Sequence, residues 1–209
     1  MHLENRVFYI ALGDSLTEGV GASNHDKSFA ASFFQAIKQT KDCQYINFGK
    51  SGRSSGELLE FVRDSKIQDI LKKATLITMT TGGIDMIRAY GNTSNILEYA
   101  RTIQMLKQNL SHILQIITEI NPNAQVFIMG LYNPGTLDHK LYSLAQKLIQ
   151  GINKLYEETA KQFGIYNINP MDSFRNKPHL LADEVHPNDL GYRVITDLFL
   201  NEQKFSIPM

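Results

Sequence analysis

Five short apolar segments, each followed by a longer stretch with helical spacing, constrain this chain of 209 residues more than any other feature. The apolar segments lie at 7–12, 43–48, 75–80, 124–130 and 165–168, and the spacing predicts helices over 28–40, 55–72, 95–119, 139–163 and 188–202. In the third helix, Ile96, Ala100, Ile103, Leu106, Leu110, Ile113 and Ile117 recur every three or four residues and build one apolar face. Leu141, Leu144, Leu148, Ile152, Leu155 and Phe163 do the same in the fourth, and Gly164 supplies a stop signal. Strand followed by helix, five times over, predicts an α/β fold with three layers, α/β/α. Its five-stranded parallel sheet would have the flavodoxin-like order 2-1-3-4-5. No linker, repeat or low-complexity stretch divides the chain, so residues 1–209 are expected to form one domain.

Sheets of this kind bind ligands beyond the carboxyl ends of their strands. Ser15 follows the first predicted strand in the run Gly13-Asp14-Ser15-Leu16, Gly52 follows the second, Gly82 to Asp85 the third and Asn133 the fourth. His186 lies in the segment after the fifth, three residues beyond Asp183. Five separate segments are thus expected to meet on one rim. A serine hydroxyl attacks poorly unless a base takes its proton and a third group orients that base. Ser15, His186 and Asp183 supply those three parts. Each motif also has a plainer reading: a tight turn that starts a helix at 13–16, and a surface turn with capping potential at 183–186.

Several function classes are excluded or disfavoured. Lys plus Arg and Asp plus Glu both number 21, so no basic field points to nucleic acid as a partner. Cys43 is the single cysteine, which rules out an intramolecular disulfide; it reads as a small core residue. The six histidines show no metal-ligand spacing, and Gly19-Val20-Gly21 lacks the full dinucleotide fingerprint. Neither a metal nor another cofactor is expected. Only residues 1–6 precede the first strand, leaving no room for a signal peptide, and no apolar run approaches the roughly 20 residues of a membrane span. A cytoplasmic location without integral membrane association is the expectation.

With these residues in view, the chain resembles the GDSL or SGNH family of serine esterases and lipases across essentially its whole length. The segment Tyr9–Ala22 (YIALGDSLTEGVGA) is similar to the family's first block, and Asn47–Arg53 (NFGKSGR) to its second. Asp183–Tyr192 (DEVHPNDLGY) matches the last block. The resemblance implies Ser15 as nucleophile, His186 as general base and Asp183 as its orienting carboxylate. It also implies an oxyanion hole built on the backbone N–H groups of Ser15 and Gly52. The fold it implies agrees with the periodicity.

One block departs from the family. It normally reads Gly-x-Asn-Asp, with the asparagine amide as an oxyanion donor, whereas this chain has Gly82-Gly83-Ile84-Asp85. Ile84 cannot donate from its side chain, and losing one such donor typically costs ~3–4 kcal/mol in the transition state. Three outcomes remain open: weak catalysis, replacement by Asn92, Asn95 or Asn133, or an inward-turned backbone N–H. Asp14, Gly83, Asp85 and Asn133 complete the candidate substrate-side residues, with Asp85 read first as a structural group that bonds loop amides. Tyr132 and Leu137 are candidate wall residues.

The expected function is carboxylic-ester hydrolysis through an acyl-serine intermediate, with no cofactor. Its substrate would be a small-molecule or lipid ester, and lysophospholipid chains compete with short acetyl esters. No long apolar lid is present, so interfacial activation is not expected. Within the family the chain resembles small bacterial lipolytic members, including germination lipases of spore formers, which leaves a spore-associated setting open. The alternatives are a catalytically weak binding module of the same fold, for which Ile84 speaks, and acyl transfer to an alcohol.

Overall fold

The computed structural model describes residues 7–38, 42–91, 96–137 and 140–206. At its centre lie the parallel strands β1 (Phe8–Gly13), β2 (Gln44–Gly49), β3 (Leu76–Thr80), β4 (Gln125–Met129) and β5 (Tyr166–Ile168). They pair in the order β2-β1-β3-β4-β5, the order that the repeat predicts. In register, Leu12 stands beside Phe48 and Met79, and Met79 beside Ile128.

The helices are α1 (Ser15–Glu18), α2 (Phe29–Ile37), α3 (Ser55–Arg63), α4 (Ser65–Leu71), α5 (Gly83–Gly91), α6 (Ile96–Ile120), α7 (Tyr142–Phe163), α8 (Met171–Phe174) and α9 (Asp189–Ser206). Successive strand residues point to opposite faces, so the sheet feeds two cores. Ile10, Leu12, Ile77 and Ile128 pack with residues of α3, α4, α6 and α7. Tyr9, Ala11, Phe127 and Met129 pack on the other face with Phe29 and Phe33 of α2 and Tyr192, Ile195 and Phe199 of α9. This is the three-layer arrangement expected of the alternating pattern.

Three helix expectations need correction. The segment 55–72 is two helices, because Asp64 ends α3 and its carboxylate accepts the Lys66 N–H at 2.8 Å to start α4. Aspartate competes for backbone N–H groups in this way and so favours caps over helix interiors. The spacing also overlooks α5, a helix that begins inside the glycine-rich block. Finally, the apolar faces of the two long helices are buried over only part of their length. Among the α6 residues whose burial is described, those in the core start at Leu106, while Ala100 is exposed and Ile103 half-buried. In α7, Ile152, Tyr156 and Ala160 are in the core, whereas Leu141, just before the helix, and Leu144 are exposed by 41% and 53%.

Length explains the last point. A helix of 25 or 22 residues spans on the order of 37 or 33 Å, against roughly 17 Å for a five-residue strand. Each helix returns from the carboxyl edge of the sheet, so its first turns overhang that edge. Cys43, placed immediately before β2, is only half-buried and belongs to neither core. Among the described residues, no helix is long and apolar enough to cross a membrane.

Candidate active site

The carboxyl end of β1 runs straight into α1, and Asp14 caps that helix by accepting the Leu16 N–H at 3.1 Å. Ser15 is therefore the first helical residue, held by its neighbour's cap. Asp14 is buried and also accepts from the Thr80 hydroxyl at 2.7 Å. Burial pushes its carboxyl up; the bonds from Thr80 and Leu16 oppose the rise, and the charge of Asp85 adds to it.

From the opposite side comes the segment between α8 and α9. An antiparallel bridge joins Leu181 to Pro187, and the Ala182 N–H donates to His186 O at 2.8 Å. Inside this tight loop Asp183 Oδ1 accepts the N–H groups of Val185 (2.8 Å) and His186 (2.7 Å). Its Oδ2 lies 2.8 Å from His186 Nδ1, and His186 Nε2 lies 3.0 Å from Ser15 Oγ. A carboxylate only accepts, so Nδ1 carries the proton and Nε2 is left to accept from the serine. Although its partial burial pushes the Asp183 carboxyl up, the backbone donors His186 and Val185 and the imidazole outweigh that and bring it down to about 2. The structure thus brings together Ser15, His186 and Asp183, although Ser15 and His186 lie 171 residues apart in sequence.

The β2 loop is locked to the same corner. Arg53 Nη1 donates to Gly13 O at 3.2 Å and Phe48 O at 2.5 Å, joining the ends of β1 and β2. Glu18, at the far end of α1, accepts the Ser51 N–H. Gly52 follows in a left-handed conformation, φ +75°, and nothing within 4 Å of a Cβ there would obstruct an approaching ligand. Arg53 and Glu18 give no signal of this role in the sequence. Their charge is spent on backbone groups, which a motif does not register.

Ser15, Gly52, Asp14, Gly83, Ile84, Asn133 and His186 all line one cavity of about 760 Å³. Asp85 does not. It is turned away, accepting the Ser55 N–H at 2.9 Å and the Ser55 hydroxyl at 2.8 Å, and so ties α5 to the start of α3. Its candidate substrate-side place is corrected in favour of the structural one. Asn133 borders the cavity, but its amide is occupied: Nδ2 donates to Tyr142 O (3.3 Å) and Gln146 Oε1 (3.1 Å), and Oδ1 accepts the Gly135 N–H (3.1 Å). It shapes the loop and has no donor left for an oxyanion. Asn92 and Asn95 lie outside the described residues. Of the two wall candidates, Tyr132 lines the cavity and donates its hydroxyl to Val185 O, inside the histidine loop. Leu137 is 61% exposed and does not line it. Among the described residues, no three His, Cys, Asp or Glu side chains gather as a metal site.

Gly21 also bears on the site, although its sequence pattern suggested nothing. It has φ +92°, and a Cβ there would meet Pro187 O at 2.4 Å and His186 Cβ at 3.2 Å. Gly21→Ala is therefore expected to destabilise the protein by about 1–3 kcal/mol through the disfavoured φ. By pushing the histidine loop outward it should also cost on the order of 10²-fold in kcat. Urea unfolding paired with steady-state kinetics checks both effects.

A sequence model of the GDSL-like lipase/acylhydrolase family matches residues 11–194. The spore germination lipase LipC of Bacillus licheniformis is 30% identical over 200 residues, covering 90% of this chain and 92% of that protein. Among solved structures, a lipase from a goat rumen metagenome superposes with a TM-score of 0.80 at 26% identity, covering 94% of this chain and 97% of the other. A catalytic mutant of an acetylxylan esterase from Geobacillus stearothermophilus shares the fold, with a TM-score of 0.74 at 14% identity over 94% and 93% of the two chains.

Proposed function

The chain belongs to the GDSL-like lipase/acylhydrolase family of ester-hydrolysing enzymes, and on that premise we propose that it cleaves carboxylic esters through an acyl-serine intermediate on Ser15. Ser15 Oγ attacks the ester carbonyl carbon as its proton passes to His186 Nε2. The tetrahedral oxyanion collapses, the bond to the alcohol oxygen breaks, and His186 returns the proton to the departing alcohol. Water then repeats the sequence on the acyl-serine, with His186 again as base and acid, and frees the carboxylic acid.

The observation that carries this reading is the hydrogen-bonded line from Ser15 Oγ through the imidazole to Asp183 Oδ2, at 3.0 and 2.8 Å. Its test is rapid quenching with a p-nitrophenyl ester. A burst of nitrophenol, with the acyl mass on the peptide containing Ser15, is expected; steady hydrolysis with that peptide unmodified at every time overturns it. Lysophospholipids, with a single acyl ester to attack, fall within the substrate range. The germination-lipase relative extends the reading to lipid esters met in a spore.

The oxyanion is met by the N–H groups of Ser15 and Gly52, and Ile84 presents hydrocarbon where the family presents an amide. Asn133 is occupied, and on this reading the hole works with one donor fewer. Ile84→Asn should therefore raise kcat, by up to about 10², without a matching fall in KM. Steady-state kinetics on a short soluble ester check this. An unchanged kcat would mean that another group already donates.

A further inference from the structure

The overhanging turns of α6 and α7 carry apolar residues that neither core uses. Tyr99 from α6 and Leu148 and Ile149 from α7 pack in neither buried cluster, and the same holds for Ile84 and Ile87 of α5. All five line the cavity that holds Ser15. Ile152 closes this wall, lining the cavity while packing into the first core. Apolar positions continued past the edge of a core cost solvation free energy unless an apolar partner covers them. Here they line one cavity together with Ser15. The volume, about 760 Å³, falls within the range that houses drug-sized ligands and far exceeds what an acetyl group fills.

From this we infer that α5 and the overhangs of α6 and α7 form a binding site for the acyl part of the ester, suited to unbranched chains of about eight carbons and more. Ile84 belongs to that site. The residue that removes an oxyanion donor adds hydrocarbon beside the reacting carbon, and so exchanges rate for contact with the chain. The inference rests on Ser15 as the nucleophile. It sets the protein apart from enzymes of this fold that remove acetyl groups, because an acetyl ester would leave most of the wall wet.

Two measurements test it. In a p-nitrophenyl ester series from acetyl to decanoyl, kcat/KM should rise by about fourfold for each methylene that finds room. Leu148→Trp, which fills the wall from the overhang and not from a core, should lower the decanoyl-to-acetyl ratio by at least about tenfold, with Ile149→Trp as a second variant should the first fail to fold. An acetyl preference, or an equal loss at every chain length, overturns the site. The second measurement needs no turnover: decanoate titrated calorimetrically into Ser15→Ala should bind saturably, and the same titration should fail once Leu148→Trp is added. If no ester of any length is cleaved, the nucleophile reading falls, and the decanoate titration alone decides the acyl site. Absence of decanoate binding overturns that site even where short esters are hydrolysed.

Discussion

Ser15→Ala is expected to lower kcat by on the order of 10⁶, with little change in KM. In the proposed mechanism the substitution removes the atom that forms the acyl intermediate, while the groups that bind the ester stay in place. The residual rate should be that of water attacking an ester held against the N–H groups of positions 15 and 52, roughly 10³–10⁴ above the uncatalysed reaction. Folding should survive. The Ser15 hydroxyl bonds to His186 and to no other described residue, and alanine is a better helix former at the start of α1. A thermal unfolding midpoint close to the parent's, together with the lost turnover, separates chemistry from stability. A kcat within tenfold of the parent would remove Ser15 from the reaction.

Asp183→Asn is expected to cost about 10⁴ in kcat through a proton placed on the wrong nitrogen. The asparagine Oδ1 can still accept the N–H groups of Val185 and His186, so the loop keeps its shape. The amide Nδ2, however, replaces the oxygen that faces His186 Nδ1 at 2.8 Å. A donor there forces Nδ1 to accept, and the single proton of the neutral imidazole moves to Nε2, pointing at Ser15. The base then has no lone pair for the serine proton. Because Asp183 is held near a pKa of about 2, its carboxylate is ionised at every pH at which an ester would ordinarily be assayed. The loss in the variant should therefore persist across the neutral range. Nitrogen-15 shifts of the imidazole would report the tautomer directly, and an unaltered tautomer with unaltered kcat would refute this role.

How much of this was legible in the sequence differs from element to element. The strands stand out because a sheet buried on both faces needs continuous apolar runs, and Tyr9 to Leu12 is one. Strand order was expected because 2-1-3-4-5 is one of the two common orders of a doubly wound sheet, which right-handed crossovers permit. Asp64 carried a readable signal that the apolar spacing on both sides of it masked. The extent of α6 and α7 was legible too, but not where the sheet beneath them ends. Leu141 and Leu144 thus looked like core and are instead exposed, Leu141 at the lining of the cavity.

At the site, Ser15, Asp183 and His186 could be named because their chemistry is rare and their positions follow strand ends. The groups that hold the corner were hidden for a different reason. Arg53 binds two carbonyl oxygens, Glu18 and Asp183 bind N–H groups, and Asn133 spends its amide on Tyr142, Gln146 and Gly135. Partners of that kind are fixed by the paths of loops distant in sequence, and no local spacing encodes them. Asp85 shows the same limit from the other side. A structural use was expected of its carboxylate, but only the approach of Ser55 shows which groups it holds.

Ester cleavage by this protein requires His186 to make Ser15 a nucleophile, and a fluorophosphonate probe reads that step alone. Mass spectrometry should find one phosphonyl group on the tryptic peptide bearing Ser15 in the parent protein, and labelling slowed by orders of magnitude in folded His186→Ala. A parent protein that folds but leaves Ser15 unlabelled, or a His186→Ala variant labelled as fast as the parent, would contradict it.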